Sequence, residues 1–384
     1  MKFNQSILAA VLGLSMAGLA NAGTVYLTGS TACRGNVYSA MTTAGEVFTA
    51  TPATTLYQGG SGTGLAGSGA NYMAFTGTLV GNTTPTTIQC SWSGSEAGIA
   101  DCASNTAEQF IASSLLDGND HGTNVPASFD TGNVQLAFGD NAQSFSRAKK
   151  PVINTNAEIG VITFEWNRNK GVWTGSNVSD SQIKQAMSGY CKLAVFTGNA
   201  ADTTSYVYVS GRDSGSGTRV NAFGESGFGI LSSPNQIELD GTGHMIDVDL
   251  SGNYIGDWGF SSGGTLTKTL NTDTSAILDP IEGTTGYSVI AYASVGDSAN
   301  DTAGAQLSYN GVTFSAAAVK EGTYTFWGNE YVFQGNGVTA GTEANKAYNN
   351  LALNVKNHAD GTKLIKLTDM HCARSGPTSD PVHN

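Results

Sequence analysis

Short apolar runs that break off into Gly, Ser and Thr recur along this chain. Val25-Tyr26-Leu27 reads as a strand that passes through Thr28-Gly29-Ser30-Thr31 into a helix-compatible stretch ending near Met41. A second strand-like piece ends at Tyr57-Gln58 and again runs into Gly and Ser. Val152 to Trp166 is a long β-rich run. Ser179-Asp180-Ser181-Gln182 has the form of a capping box, which Ile183, Ala186 and Met187 continue at helical spacing. Tyr206 to Val209 alternates into another Gly/Ser loop, and 343–355 places Ala347, Tyr348, Leu351 and Val355 on one helical face. Strands alternating with helices predict an α/β fold. The Gly/Thr/Asn-rich stretches 61–87 and 241–275 predict β-hairpin insertions or loops, and no internal repeat of domain-building length is present.

The first 22 residues have the pattern of a cleaved signal peptide: Lys2, an apolar run from Ile7 to Ala20, and Ala20-Asn21-Ala22 as the cleavage site. The run is too short to span a bilayer, so the expectation is a periplasmic or secreted protein without a membrane span. Such a compartment permits disulfides. Of the five cysteines, Cys90 and Cys102 flank a short stretch and form the natural pair. An odd number leaves at least one of Cys33, Cys191 and Cys372 unpaired within the chain, and Cys33 and Cys191 read as small buried residues. With no CxxC and only scattered His, no zinc site is expected.

A length of 384 residues suits two domains. Only 12% of residues are charged, 50 are Gly, and 18 basic against 30 acidic residues give a net charge of -12. That balance excludes coiled coils and nucleic-acid binders that work through a basic field. Any anion must be captured by local geometry.

Three strand-to-helix junctions offer that geometry: Gly29-Ser30-Thr31, Gly60-Ser61-Gly62-Thr63-Gly64 and Gly215-Ser216-Gly217-Thr218. A helix start leaves backbone N–H groups unpaired at its partly positive end, Gly allows close approach, and Ser or Thr adds a hydroxyl. At the third junction Arg212 precedes Ser216 by four residues and can grip an oxyanion through two parallel bonds, with Asp213 beside it as a support.

These motifs resemble the phosphate-binding proteins of ABC-type uptake systems, which have the type II periplasmic-binding fold. Thr28-Gly29-Ser30-Thr31-Ala32 is similar to the family's opening loop, and Tyr57-Gln58-Gly59-Gly60-Ser61 to its second. Ser93-Gly94-Ser95-Glu96-Ala97 is similar to the loop carrying an acidic ligand, and Arg212 to Thr218 to its Arg-x-Asp-Gly-Ser-Gly-Thr motif. Gly286-Tyr287-Ser288-Val289 resembles the strand that returns the chain to its first lobe. Departures are Asp213 one place early, with Ser214 in the usual Asp position, and Glu96 where Asp is typical.

The resemblance implies two α/β lobes with a ligand cleft between them and β-rich loop insertions. Residues 1–22 would be the signal peptide, 23–155 and 290–384 lobe one, and 156–289 lobe two. The expected ligand is inorganic phosphate, held by Thr31, Ala32, Ser61, Arg212, Ser216, Gly217 and Thr218. A carboxylate facing the anion accepts the proton that phosphate carries and sulfate lacks; Glu96 is the expected acceptor. The expected partner is an ABC permease of the inner membrane, and the protein is expected to be a monomer.

No catalytic site and no cofactor are expected. GxxxxGK[ST] does not occur. Gly62-Thr63-Gly64-Leu65-Ala66-Gly67 fits GxGxxG without the acid-ended strand of a dinucleotide site. The run from Asp247 to Asn253 begins like a calcium loop, but its twelfth position is Trp258, so a hairpin turn is expected. The alternative from another class is a secreted Gly/Thr/Asn-rich structural or adhesive surface protein.

Overall fold

The structure is a computed structural model that describes residues 23–58, 69–189, 191–246, 256–376 and 379–383. The signal segment, Ser61 with its glycines, the Gly62–Gly67 match and the Asp247–Asn253 turn lie outside the described residues.

The first junction behaves as its sequence predicts, with β1 (Gly23–Gly29) followed by α1 (Arg34–Thr42). Three strands come next: β2 (Ala53–Tyr57), β3 (Tyr72–Thr78) and β4 (Pro85–Ser91). The last two form the expected hairpin, with Tyr72 opposite Ser91 and Thr78 opposite Pro85. After α2 (Ser95–Ser104), β5 (Ala107–Ile111) and β6 (Phe129–Asn133) make a separate ribbon. β7 (Leu136–Gly139) then rejoins β1 in parallel.

The apolar run becomes β8 (Thr155–Arg168), a 14-residue strand buried over most of its length. Beyond it lie β9 (Asn177–Val178), α3 (Asp180–Met187), α4 (Ala194–Thr197), β10 (Val207–Ser210) and α5 (Gly217–Glu225). β11 (Gln236–Leu239), β12 (Met245–Ile246), α6 (Gly263–Thr269) and β13 (Ser288–Ser294) complete this half. The chain returns through α7 (Val295–Ser298), β14 (Ala305–Tyr309), α8 (Ala316–Lys320), β15 (Trp327–Gln334) and α9 (Glu343–Asn354).

One sheet runs through both halves in the order β12-β11-β10-β13-β8-β15-β7-β1-β4-β3-β2. Each half has a parallel core, β10 with β11 and β13 on one side and β1 with β4 and β7 on the other. The crossing strands β8 and β15 are antiparallel to their neighbours and join the halves. Parallel strands need both faces covered, and the helices and aromatic side chains supply the cover. Trp166 on β8 packs edge-on against Tyr292 at 5.5 Å and lies 5.8 Å from Phe326. Truncating a ring of that size in such a core costs about 3–5 kcal/mol.

The capping box forms in full: Gln182 N donates to Ser179 Oγ at 3.3 Å and Ser179 N to Gln182 Oε1 at 2.9 Å. The 241–275 stretch differs from expectation, because it contains α6. Leu266 and Thr267 are buried there, and the helix packs on β13.

The Cys90–Cys102 disulfide expected from the sequence is not formed, and all five cysteines are free and buried. Cys90 packs with Leu27, Leu136 and Phe138, whereas Cys102 on α2 packs with Ala137 and Phe333. Successive residues of β7 point to opposite faces of the sheet, so the two sulfurs lie on either side of it. In guanidinium without reductant all five thiols should therefore react with a thiol reagent, and in the native protein all should react slowly. Fewer reactive thiols in the denatured chain would reveal a disulfide and overturn this placement.

Candidate functional site

Gly29 turns the chain out of β1. Its φ of 117° is unfavourable for any side chain, and a Cβ would run into the Phe138 carbonyl. Ser30 N donates to that carbonyl at 2.9 Å, and Cys33 N donates to Ser30 Oγ at 3.2 Å. The helix that follows begins with Arg34 and has no side-chain cap. Thr31, Ala32 and Arg34 line a cavity of about 160 Å³ with Ser294, Asp297 and Lys363.

Arg34 is the unexpected member. Its Nη1 donates to Asn71 Oδ1 at 2.7 Å, while its Nε is buried without a hydrogen-bond partner. Burial lowers its pKa to about 10, Asp297 acts in the opposite direction and Arg212 adds to the lowering. It stays charged at neutral pH. A cation in the first turn opposes the helix dipole, and that misfit was the sequence signal for it.

Arg212 is 2% exposed. Its Nε donates to Phe260 O at 2.9 Å and its Nη2 to Ser261 O at 2.8 Å, while its own N–H donates to Tyr292 Oη at 3.1 Å. Arg219, ion-paired with Asp257, holds the Arg212 carbonyl at 3.0 Å. Arg212 Nη1 lies beside Gly263, close to the Asp297 carboxylate. Asp297 in turn accepts from Ser294 Oγ at 2.9 Å. Arg34 from one half, Arg212 from the other and Asp297 thus form one cluster at the edge of the cavity.

The expected supports are used differently. Asp213 accepts from Gly215 N at 3.0 Å and so closes the turn; backbone carbonyls position Arg212. Burial raises the Asp213 pKa, with the Arg212 charge opposing it. Glu96 is 4% exposed and accepts from Arg147 N at 2.6 Å, Asn141 Nδ2 at 3.0 Å and Ser146 Oγ at 3.1 Å. Its carboxylate fastens the 141–147 loop to α2, and burial raises its pKa against those bonds.

At the third junction Ser216 Oγ caps α5 by accepting from Arg219 N at 3.2 Å. Glu96 N and Ala97 N, at the start of α2, donate to Gly215 O at 2.9 and 3.3 Å. Gly94 (φ 99°) and Gly217 allow this approach: a Cβ on Gly94 would lie 2.5 Å from Gly215 O, and one on Gly217 2.5 Å from the Ser95 side chain. Thr218 Oγ1 donates to Asp140 Oδ2 at 3.4 Å, and Ser30 Oγ donates to Asp140 Oδ1. Thr31, Ala32, Arg212, Ser216, Gly217 and Thr218 therefore gather where the halves meet. Arg34, Asp140 and Asp297 join them without having been anticipated. Among the described residues no group of three or more His, Cys, Asp or Glu is placed to hold a metal, and no helix is long and apolar enough to cross a membrane.

No family model matches this chain, and no curated protein matches it in sequence. Solved structures do. The chain is similar to a candidate phosphate ABC transporter substrate-binding protein from Clostridium perfringens, solved with bound phosphate. Identity is 14%, the TM-score 0.50, and the match covers 90% of this chain and 100% of that one. An ABC-type phosphate transport receptor from Vibrio cholerae matches at 10% identity and TM-score 0.42, over 82% of this chain and 88% of that one. A phosphate-binding protein from Stenotrophomonas maltophilia matches at 14% identity and TM-score 0.42, over 91% of each chain. The fold is thus the two-lobed α/β architecture of the substrate-binding proteins, as the Clostridium perfringens match over that whole chain shows.

Gly94→Ala should destabilise the protein by about 1–3 kcal/mol, because it adds a strained φ to a clash with Gly215 O. Thermal unfolding measures this. An unchanged melting temperature would mean that the α2–α5 contact is dispensable.

Proposed function

We propose that this protein is an exported solute-binding protein that captures inorganic phosphate in the cleft between its lobes and presents it to an ABC permease of the inner membrane. Residues 1–22 serve as the signal peptide, 23–155 with 290–384 form lobe one, and 156–289 form lobe two. The mature protein acts as a monomer in the periplasm.

The observation that carries this reading is the cationic cluster at the cavity. Arg34, Arg212 and the cavity-lining Lys363 converge beside an α-helix start in a chain whose net charge is -12. Arg34 also keeps a buried N–H without a partner. Cations gathered against the overall charge fit the capture of an anion by a local site. Thr31 and Ala32 contribute backbone N–H groups, Ser61 and Ser216 hydroxyls, and Gly217 close approach, while Thr218 gives its hydroxyl proton to Asp140. Asp297 stands at the cavity wall as the carboxylate that accepts the proton of phosphate, while Glu96 is spent on Arg147, Asn141 and Ser146.

Phosphate should raise the melting temperature, since a ligand of the folded state alone stabilises it by about 2.7 kcal/mol at a hundred times its dissociation constant. Calorimetry should show saturable binding. Arg212→Lys should weaken it by at least about tenfold, because a point charge does not reproduce the planar fork. Arg34→Gln should also lower affinity while leaving the fold intact. Millimolar phosphate without any shift in melting would rule out phosphate capture and favour a structural surface protein.

A further inference from the structure

Glu330 lies on β15 with none of its surface exposed, and neither carboxyl oxygen has a donor in good hydrogen-bonding geometry. Its polar neighbours are the Asp140 carboxylate at the end of β7, the Ser30 hydroxyl and the Cys33 thiol ahead of α1. Among the described residues no Lys or Arg is one of the groups acting on it. The titratable groups facing Glu330 are therefore Asp140 and Cys33. Burial holds the Cys33 thiol neutral, so it adds no negative charge beside the two acids.

Two carboxyl groups side by side in a dry interior do not both ionise; one keeps a proton. Asp140 is the one receiving hydroxyl protons, from Ser30 and from Thr218, which suits the ionised form. Ser30 and Cys33 stand near Glu330 but neither is in good geometry to donate to it, and its acid form is satisfied by donating to Asp140. Burial and the Asp140 charge keep it in that form well above the usual carboxyl range.

We infer that Glu330 is a positioning residue for the anion cleft: as a neutral acid it donates to Asp140, and Asp140 ties Ser30 of one lobe to Thr218 of the other. Asp140 is thereby the single carboxylate shared by the first and third junctions, and Glu330 sets its charge and direction. Closing the cleft requires the proton on Glu330. Affinity for the ligand then falls as pH rises through the range where Glu330 ionises in the open protein. The affinity part of this inference rests on the phosphate reading; the protonation part does not.

Infrared difference spectra of wild type against Glu330→Gln test protonation without any ligand. The carbonyl stretch of a protonated, buried carboxylic acid should appear in wild type at neutral pH and vanish in the variant. Its absence from wild type overturns the inference. Phosphate calorimetry between about pH 6 and 9 tests the coupling. The ionisation of phosphate cancels in the ratio of variant to wild-type affinity, so that ratio should rise with pH, by at most about tenfold per unit for one linked proton. A flat ratio overturns the coupling. Glu330→Leu, which cannot donate, should bind at least about tenfold more weakly than wild type at neutral pH, whereas the Gln variant, whose amide donates, should stay close to it. Equal affinity of all three proteins counts against the positioning role. Failure of wild type to bind phosphate, with the infrared band present, would sink the phosphate reading and leave the acid pair standing.

Discussion

Two backbone N–H groups at the start of α2 close on the carbonyl of Gly215, and the geometry of the cleft depends on that contact. A helix start is a natural partner for negative charge, and here a carbonyl oxygen takes that place. The consequence is that α2 docks one half onto the other. The start of α1, by contrast, stands open beside Arg34 and the cavity. Gly94 and Gly217 permit the approach because neither carries a side chain into the space between the two loops.

Charge is distributed by the same logic. The chain has few cations, and three of them, Arg34, Arg212 and Lys363, stand at or beside one cavity. Backbone carbonyls, rather than acidic side chains, hold Arg212 in place. Its positive charge is thus not cancelled by a hydrogen-bonded carboxylate, as an Asp213 partner would have cancelled it. Where acids are buried they do other things. Glu96 fastens a loop, and Asp140 bridges the hydroxyls of Ser30 and Thr218. A buried carboxylate stays useful only while donors surround it, which Glu96 has in full and Glu330 lacks.

Much of the architecture was legible in the chain. The run from Val152 to Trp166 foretold β8, the Ser179 box foretold α3, and Ala347, Tyr348 and Leu351 foretold the buried face of α9. Those signals are local, since capping and periodicity act over a few residues. The Gly/Ser/Thr junctions were equally readable, and all of the described ones assemble where the halves meet. Arg34 was readable in principle as a cation set against its own helix dipole.

What the sequence determined alone was therefore the alternation of elements, the helix starts, the placing of Arg212 just ahead of one of them and the excess of acid over base. The partners of the buried acids were decided only by tertiary structure. Glu96 meets Arg147, Asp297 comes up beside Arg212, and Glu330 meets Asp140 because β15 pairs with β7 across a long stretch of chain. The pairing of β4 with β1 and of β1 with β7 puts Cys90 on one face of the sheet while α2 holds Cys102 on the other, although they are near neighbours in the chain. The physical reason is that strand register sets which side chains face one another and on which side, and register is fixed by sheet assembly rather than by any short stretch of residues.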